Sequence, residues 1–338
     1  MSNEVVLSVQ NLSVVFHTPD GDVVAVNDVS FDLRSGETLG IVGESGSGKS
    51  VTASSIMRLN NSNTASTTGS IFVSGVDVLT AEESEVRRIR GSEVAMIFQD
   101  PLSALNPYYT VGKQIAEAYL VHHPKTSKSD ARAVTLEMLK KVGIPNPEKR
   151  IDEFPHQFSG GMRQRIVIAI ALINNPKVLI ADEPTTALDV TVQAQILDLM
   201  KELQSEFNMA IVLITHDLGV IAEAAKDVLV MYGGRVVERS TVEALFSEPT
   251  HPYAWGLLGA VNSLGSSGRG ALATIAGSPP SLIALPSGCS FNPRCSHSLE
   301  ICRADVPSLR EVGSLGSVTA CHLSNDQILT LGRKAASL

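Results

Sequence analysis

A chain of 338 residues with 43% hydrophobic and 18% charged residues has the balance of a globular protein with room for two domains. Its net charge of −8 excludes an overall basic field for nucleic acid. The longest apolar run, residues 166–173, falls short of the ~18 residues a bilayer span needs, and the start Met-Ser-Asn-Glu-Val-Val carries no basic-then-apolar leader, so a membrane role is expected only through partner chains.

Residues 6–9 and 12–16 alternate as half-exposed strands do, and Asp20-Gly21 marks a turn between extended pieces. Residues 38–42 form a short apolar run that enters a glycine-rich loop, and 49–59 read as helix. Residues 71–73 and 94–98 are further strands. From 101 to 157 the pattern turns helical: Val111, Ile115, Ala118 and Tyr119, then Val134, Met138 and Val142, recur at helical spacing, with proline and glycine punctuation at 143–147. Ser159 offers an N-cap for a helix from 160 to about 174. Residues 178–181 and 211–214 are continuous apolar strands of the kind buried on both faces of a parallel sheet, with a helix over 191–207 between them. Strands at 228–231 and 235–238 flank Gly233-Gly234, a two-residue hairpin signal. Beyond about 250 the pattern weakens, and serine, glycine and proline crowd 262–288 as in a linker.

Residues 43–50 read Gly-Glu-Ser-Gly-Ser-Gly-Lys-Ser between strand and helix, the context a phosphate loop requires. The amides of Ser45, Gly46, Ser47, Gly48 and Lys49 can converge on one anion, and Gly43, Gly46 and Gly48 let the backbone come close. Lys49 is expected at the β- and γ-phosphates and Ser50 at Mg²⁺. Asp182 ends an apolar strand, where α/β sheets place ligand chemistry; it is expected at Mg²⁺, directly or through water, with Glu183 polarising the attacking water as general base. Gln99 follows a strand and can bring its amide oxygen to Mg²⁺; His216 ends another and can reach the γ-phosphate. Taken singly, both are also ordinary strand-end residues. Phe158-Ser159-Gly160-Gly161-Met162 sits at a helix start, where its amides can bind the γ-phosphate of a nucleotide held by another protomer. One copy of each half points to an ATPase that completes its pocket by pairing.

Together these residues resemble ATP-binding cassette ATPases over residues 5–245: 43–50 resembles Walker A, Gln99 the Q-loop, 158–162 the signature, 178–183 Walker B, Ala187-Leu188-Asp189 the D-loop and His216 the switch histidine. The resemblance is closer to the dipeptide and oligopeptide importer ATPases, dipeptide-type subunit. It is carried by Met96-Ile97-Phe98-Gln99-Asp100-Pro101, Leu105-Asn106-Pro107, the stretch 158–165, the stretch 181–190 and His251-Pro252-Tyr253. It implies an α/β fold: a P-loop (RecA-like) core with an N-terminal antiparallel β subdomain, a helical subdomain and a small irregular C-terminal region carrying cysteines. It implies a nucleotide-binding domain over 1–250, with the helical subdomain at about 101–160, and a C-terminal extension over 251–338. ATP is expected to lie against Phe16, which stacks on adenine, and against 43–51, Glu44 and Val51 included; Mg²⁺ is expected on Ser50, Gln99 and Asp182. Met162 replaces the glutamine of the general signature, which leaves open whether the site receiving it turns over as fast as its counterpart.

Cys289, Cys295, Cys302 and Cys321 are the chain's four cysteines, separated by five, six and eighteen residues. No short gap opens the set as in most zinc sites; zinc, free thiols and disulfides remain alternatives, and the resemblance implies a [4Fe–4S] cluster. The resemblance also implies a motor at the cytoplasmic face of a bacterial inner membrane. Its expected partners are a second, related ATPase, two integral permease subunits and, indirectly, a substrate-binding protein. Nickel, glutathione and antimicrobial peptides stay open as cargo. A soluble cassette ATPase acting on DNA or ribosomes, or an iron–sulfur sensor with incidental ATPase activity, is the reading from another class.

Overall fold

The computed structural model describes residues 4–100, 104–186, 188–265 and 275–337. Pro101 at the expected start of the helical insertion, Ala187 of the expected D-loop and residues 266–274 of the expected linker lie outside the described residues.

Strands β1 (Val5–Thr18) and β2 (Gly21–Arg34) are joined by the expected turn, where Thr18 Oγ1 donates to the Gly21 carbonyl at 2.7 Å and Gly21 adopts φ 128°. The two short runs of the sequence are one strand. The break between them is Asn11, at φ 50°, whose amide is held by Ser30 Oγ at 2.8 Å. Next come β3 (Thr38–Val42), α1 (Lys49–Ile56), β4 (Ala65–Val73), β5 (Val76–Asp77), α2 (Glu83–Ile89) and β6 (Val94–Ile97). The helical stretch holds α3 (Val111–His122), α4 (Lys128–Lys141) and α5 (Pro147–Arg150), followed by α6 (Gly160–Leu172). Then follow β7 (Val178–Asp182), α7 (Val190–Phe207), β8 (Ala210–Thr215), α8 (Leu218–Ala224), β9 (Asp227–Tyr232), β10 (Arg235–Thr241), α9 (Val242–Ser247) and α10 (Pro252–Gly265). The tail adds α11 (Ile301–Ala304), β11 (Arg310–Val312), β12 (Ser317–Thr319) and α12 (Asn325–Ala336).

The chain divides into two compact units, one of residues 1–8, 32–37 and 72–212, the other of 9–31, 38–71 and 213–338. In the first, β6 and β7 pair in parallel from Val94↔Val178 to Ile97↔Ala181. Helix α6 packs on β6, with Ile166, Ile168, Ala169 and Leu172 fully buried. A helix apolar on several sides stays folded because it is enclosed. The longer helices here start on side-chain caps: Thr110 for α3, Ser127 for α4, Ser159 for α6 and Asp189 for α7. The caps satisfy amides that a helix start leaves orphaned.

In the second unit β3 and β9 pair in parallel, while β9 and β10 are antiparallel. Gly233 and Gly234 make the hairpin with φ of 55° and 80°, the left-handed pair that a type I′ turn demands. The sheet then continues into the tail. β12 pairs with β10 through Glu238↔Thr319 and Arg239↔Val318, and β11 pairs with β12, giving the order β11-β12-β10-β9-β3. The region in which the sequence shows only weak pattern is therefore anchored by strand addition. It also owns an apolar cluster of Trp255, Val312, Leu323 and Ile328. Helix α12 closes on that cluster from a capping box of Ser324 and Gln327. Among the described residues no helix is long and apolar enough to cross a membrane.

Candidate active site

In the second unit the glycine loop leaves the end of β3, which is buried over its whole length. Gly43 takes φ 155°, and a Cβ there would meet the Met231 carbonyl oxygen at 2.2 Å and Ser47 Oγ at 2.7 Å. Gly48 takes φ 101°, and its Cβ would meet the Ala25 carbonyl oxygen at 2.4 Å. At Gly46, φ is 77° and no described atom lies within 4 Å of the Cβ position, so the loop is open on that side. Lys49, 6% exposed, folds back over the loop: its ammonium donates to the carbonyls of Gly43 at 2.7 Å and Glu44 at 2.9 Å, and to Ser47 Oγ at 3.3 Å. The loop thus encircles a fixed cation at the start of α1. Ser47 is buried, whereas Ser45 and Ser50 are exposed; Val51 is half-buried in the first turn. Phe16 is half-buried on β1. His17 beside it is held by Asp22 at 2.8 Å and Ser66 Oγ at 2.7 Å. His216 follows β8 and is exposed, just ahead of Asp217, which caps α8 through the Gly219 amide at 2.7 Å.

Glu44 is held on both its ends. Its amide donates to the Tyr253 hydroxyl at 2.7 Å. Its carboxylate takes a two-pronged bond from Arg294, at 2.5 and 3.0 Å. Burial pushes the Tyr253 hydroxyl up, so it stays protonated. Neither partnership is signalled by the sequence: Arg294 lies 250 residues away, and Tyr253 lies 209 away in the His251-Pro252-Tyr253 stretch that carries the resemblance.

In the first unit β7 delivers Asp182, 5% exposed, at its last position. Glu183 follows in a left-handed conformation, φ 50°. For a residue with a Cβ that costs about 1–3 kcal/mol and persists only where the surroundings impose it. Its carboxylate oxygen Oε2 accepts from Gln99 Nε2 at 3.0 Å and from Thr186 Oγ1 at 2.8 Å. The sequence pairs neither residue with Glu183. Thr186 is three residues on, and only the turn after β7, with the Thr186 amide on the Glu183 carbonyl at 3.1 Å, folds it back. At the signature, Ser159 caps α6 as expected, its hydroxyl accepting from the Met162 amide at 3.4 Å. Ser159 and Gly160 are exposed. Gly161 is required sterically, since a Cβ there would lie 2.6 Å from Val192. Met162 Sδ accepts from Arg150 at 3.6 Å, so the replaced glutamine position is occupied by a sulfur contact.

The four cysteines are free thiols, with Cys302 buried and the others half-buried. Burial, then the fields of Cys302 and Cys321, pushes Cys289 up to about 11; burial, then the fields of Cys321, Cys289 and Cys302, does the same to Cys295. The thiols are thus close enough for their charges to interact, and four thiolates are the ligand number and type of an iron–sulfur cluster. Yet among the described residues no three histidine, cysteine, aspartate or glutamate side chains already stand as a metal-holding group.

The ABC transporter family profile matches residues 26–186, and that for the oligopeptide/dipeptide transporter C-terminal region matches 237–302. The chain is 52% identical over 325 residues to the oligopeptide transport ATP-binding protein OppD of Salmonella typhimurium, covering 96% of each chain. It is 52% identical over 312 residues to the dipeptide transport ATP-binding protein DppD of Lactococcus lactis, covering 92% of this chain and 89% of that one. Among solved structures it is similar to the ATP-binding cassette MJ0796, a dimer in a post-hydrolysis state bound to ADP and Pi. That likeness has a TM-score of 0.62 and 26% identity over 70% of this chain and 98% of that one.

Proposed function

The chain belongs to the ABC transporter family, among the ATP-binding proteins of oligopeptide and dipeptide import, and from that premise we propose that it is the ATP-hydrolysing motor of a peptide importer. The observation that carries the proposal is the phosphate loop, closed around the Lys49 ammonium between a buried strand and a helix. On ATP binding, Lys49 exchanges carbonyl partners for β- and γ-phosphate oxygens, and the amides of Ser45 through Lys49 take the remainder. Phe16 stacks on adenine, with Val51 lining the same loop and helix.

The hydroxyl of Ser50, the carboxylate of Asp182 and the amide oxygen of Gln99 are hard oxygen donors suited to Mg²⁺. That ion, when bound, neutralises charge on the β- and γ-phosphates. Glu183 accepts a proton from water as the water oxygen attacks the γ-phosphorus; the bond to the β-phosphate oxygen breaks, leaving ADP and phosphate. Gln99 and Thr186 orient the Glu183 carboxylate for that transfer. His216 orients the water. Ser159, Gly160, Gly161 and Met162 present the start of α6 to the nucleotide of a partner cassette.

The proposal extends to domains and assembly. Residues 1–250 form the nucleotide-binding domain, with its helical subdomain at about 101–160, and 251–338 the importer-type extension. A second, related ATPase pairs with this one, two permease subunits carry the motion, and the chain sits peripherally at the cytoplasmic face of the inner membrane. Cys289, Cys295, Cys302 and Cys321 would hold a [4Fe–4S] cluster that cross-links the tail; their number and thiolate chemistry support this, and anaerobically purified chain is expected to contain about four irons. Stoichiometric zinc without iron would replace that assignment. Peptide uptake by cells carrying Glu183→Gln tests the motor: uptake of defined di- and tripeptides is expected to stop while ATP binding persists. If both uptake and hydrolysis survive, Glu183 is not the base.

A further inference from the structure

The phosphate loop carries a negative charge of its own. Glu44 is the second residue of an anion-binding loop, and its carbonyl is one of the two that accept from Lys49. An ionised carboxylate there repels a polyphosphate unless something compensates it. Arg294 does so. Its side chain is 6% exposed, and its polar contacts fix the guanidinium: both oxygens of Glu44, the Tyr232 hydroxyl at 3.3 Å, and the carbonyls of Ala276 at 2.9 Å and Ile275 at 3.3 Å. The ring of Tyr232 lies 5.8 Å from the guanidinium carbon. A planar fork matched to a carboxylate is the strong, geometrically specific kind of ion pair. Tyr253 holds the same residue through its amide.

We infer that Arg294 is a positioning and charge-compensating residue for the nucleotide site: it neutralises Glu44 and fixes the loop, so that the C-terminal region sets how tightly the phosphate loop binds ATP. The inference rests on the reading of 43–50 as the ATP loop and goes beyond it, because it assigns the tail a direct part in nucleotide affinity. Arg294 touches no phosphate itself and acts through Glu44.

The test is the affinity of the full-length chain for a fluorescent ATP analogue with Mg²⁺, alongside its melting temperature. Arg294→Ala leaves Glu44 uncompensated and is expected to weaken binding about 10-fold, through repulsion between the unpaired carboxylate and the phosphates. Arg294→Lys keeps the charge but loses the two-pronged fork, and is expected to fall between native and Arg294→Ala. The decisive variant is Glu44→Gln in the Arg294→Ala background: removing the uncompensated charge is expected to bring affinity back to within about 3-fold of native. A merely structural arginine would not be rescued by a change at Glu44. Native affinity in Arg294→Ala, or a double variant as weak as the single, overturns the inference. Should Arg294→Ala fail to fold, Tyr253→Phe decides, with about a 3-fold loss expected and no loss contrary. Lys49→Ala separates the two levels: if it binds the analogue like native chain, the ATP-loop reading itself has failed, whereas normal loss there with no effect at Arg294 removes only this inference.

Discussion

The phosphate loop and the cysteine tail both gather reactive groups from one compact unit, but they do so by opposite means. The loop's amides and its one lysine come from eight adjacent residues, and only the brace on Glu44, from Tyr253 and Arg294, comes from far along the chain. The tail draws its four thiols from positions spread over 289 to 321, the last of them just after β12, which joins the sheet at β10. A site built from contiguous backbone is specified locally; a site built from scattered side chains is specified by the fold around it.

The largest effect is expected at the carboxylate proposed as the general base. Glu183→Gln is expected to lower turnover by about 10²–10⁴ while ATP affinity holds, as removal of a general base does. Steady-state hydrolysis beside equilibrium binding checks it. Next in size is the loop itself. Lys49→Ala removes the cation that the Gly43 and Glu44 carbonyls enclose, and affinity for ATP should fall about 10²-fold. For the proposed cluster, the same variant should leave the iron content untouched, while Cys302→Ser should lose the iron and, with the Arg294–Glu44 pair kept, spare nucleotide binding. Iron assay and titration on both variants would show whether the two regions are separable; a joint loss in either variant would tie them into one site.

A smaller effect concerns the buried joint between sheet and tail. Burial pushes the Glu238 carboxyl up to about 7, against hydrogen bonds from the Thr250 and His251 amides that favour its ionised form. Burial pushes His251 down to about 3, with its Nδ1 accepting from the Tyr253 amide at 3.1 Å. The signs differ. Glu238 holds its proton in the fold, so its contribution to stability is complete below about pH 4 and is lost as pH rises through 7. His251 stays neutral in the fold, so its contribution is complete above about pH 6.5 and is lost as pH falls toward 3. Between these limits the two slopes offset, and near pH 7 Glu238 dominates. Glu238→Gln is therefore expected to gain on the native chain by about 1–3 kcal/mol between pH 5 and pH 8 in denaturant titrations. A constant difference across that range would remove Glu238 as the titrating group.

These contrasts also explain what was legible in the sequence. Strand β3, the loop and α1 follow from an apolar run, glycines and a helix start, all local, and the Gly233-Gly234 hairpin is as plain. The partners of the working side chains were not legible. Gln99 lies 84 residues from Glu183, and the strand ends that bring them together leave no mark on either residue's neighbours. Strands β11 and β12, three residues each, are too short to show alternation, and they exist because β10 offers them an edge. Helix α12 has a capping box but no strong run before it, and it folds onto Trp255 and Val312 from elsewhere in the chain.

The central claim is that one chain holds two unlike halves of a catalytic pocket and hydrolyses ATP only when another cassette supplies the missing half. The most direct measurement is the hydrolysis rate per chain as concentration is varied, with and without the companion ATPase, and with sedimentation recording the oligomeric state. The account predicts a rate that collapses as the paired species disappears and returns on adding the companion. A chain that sediments as a monomer throughout and hydrolyses ATP at an undiminished rate would contradict it.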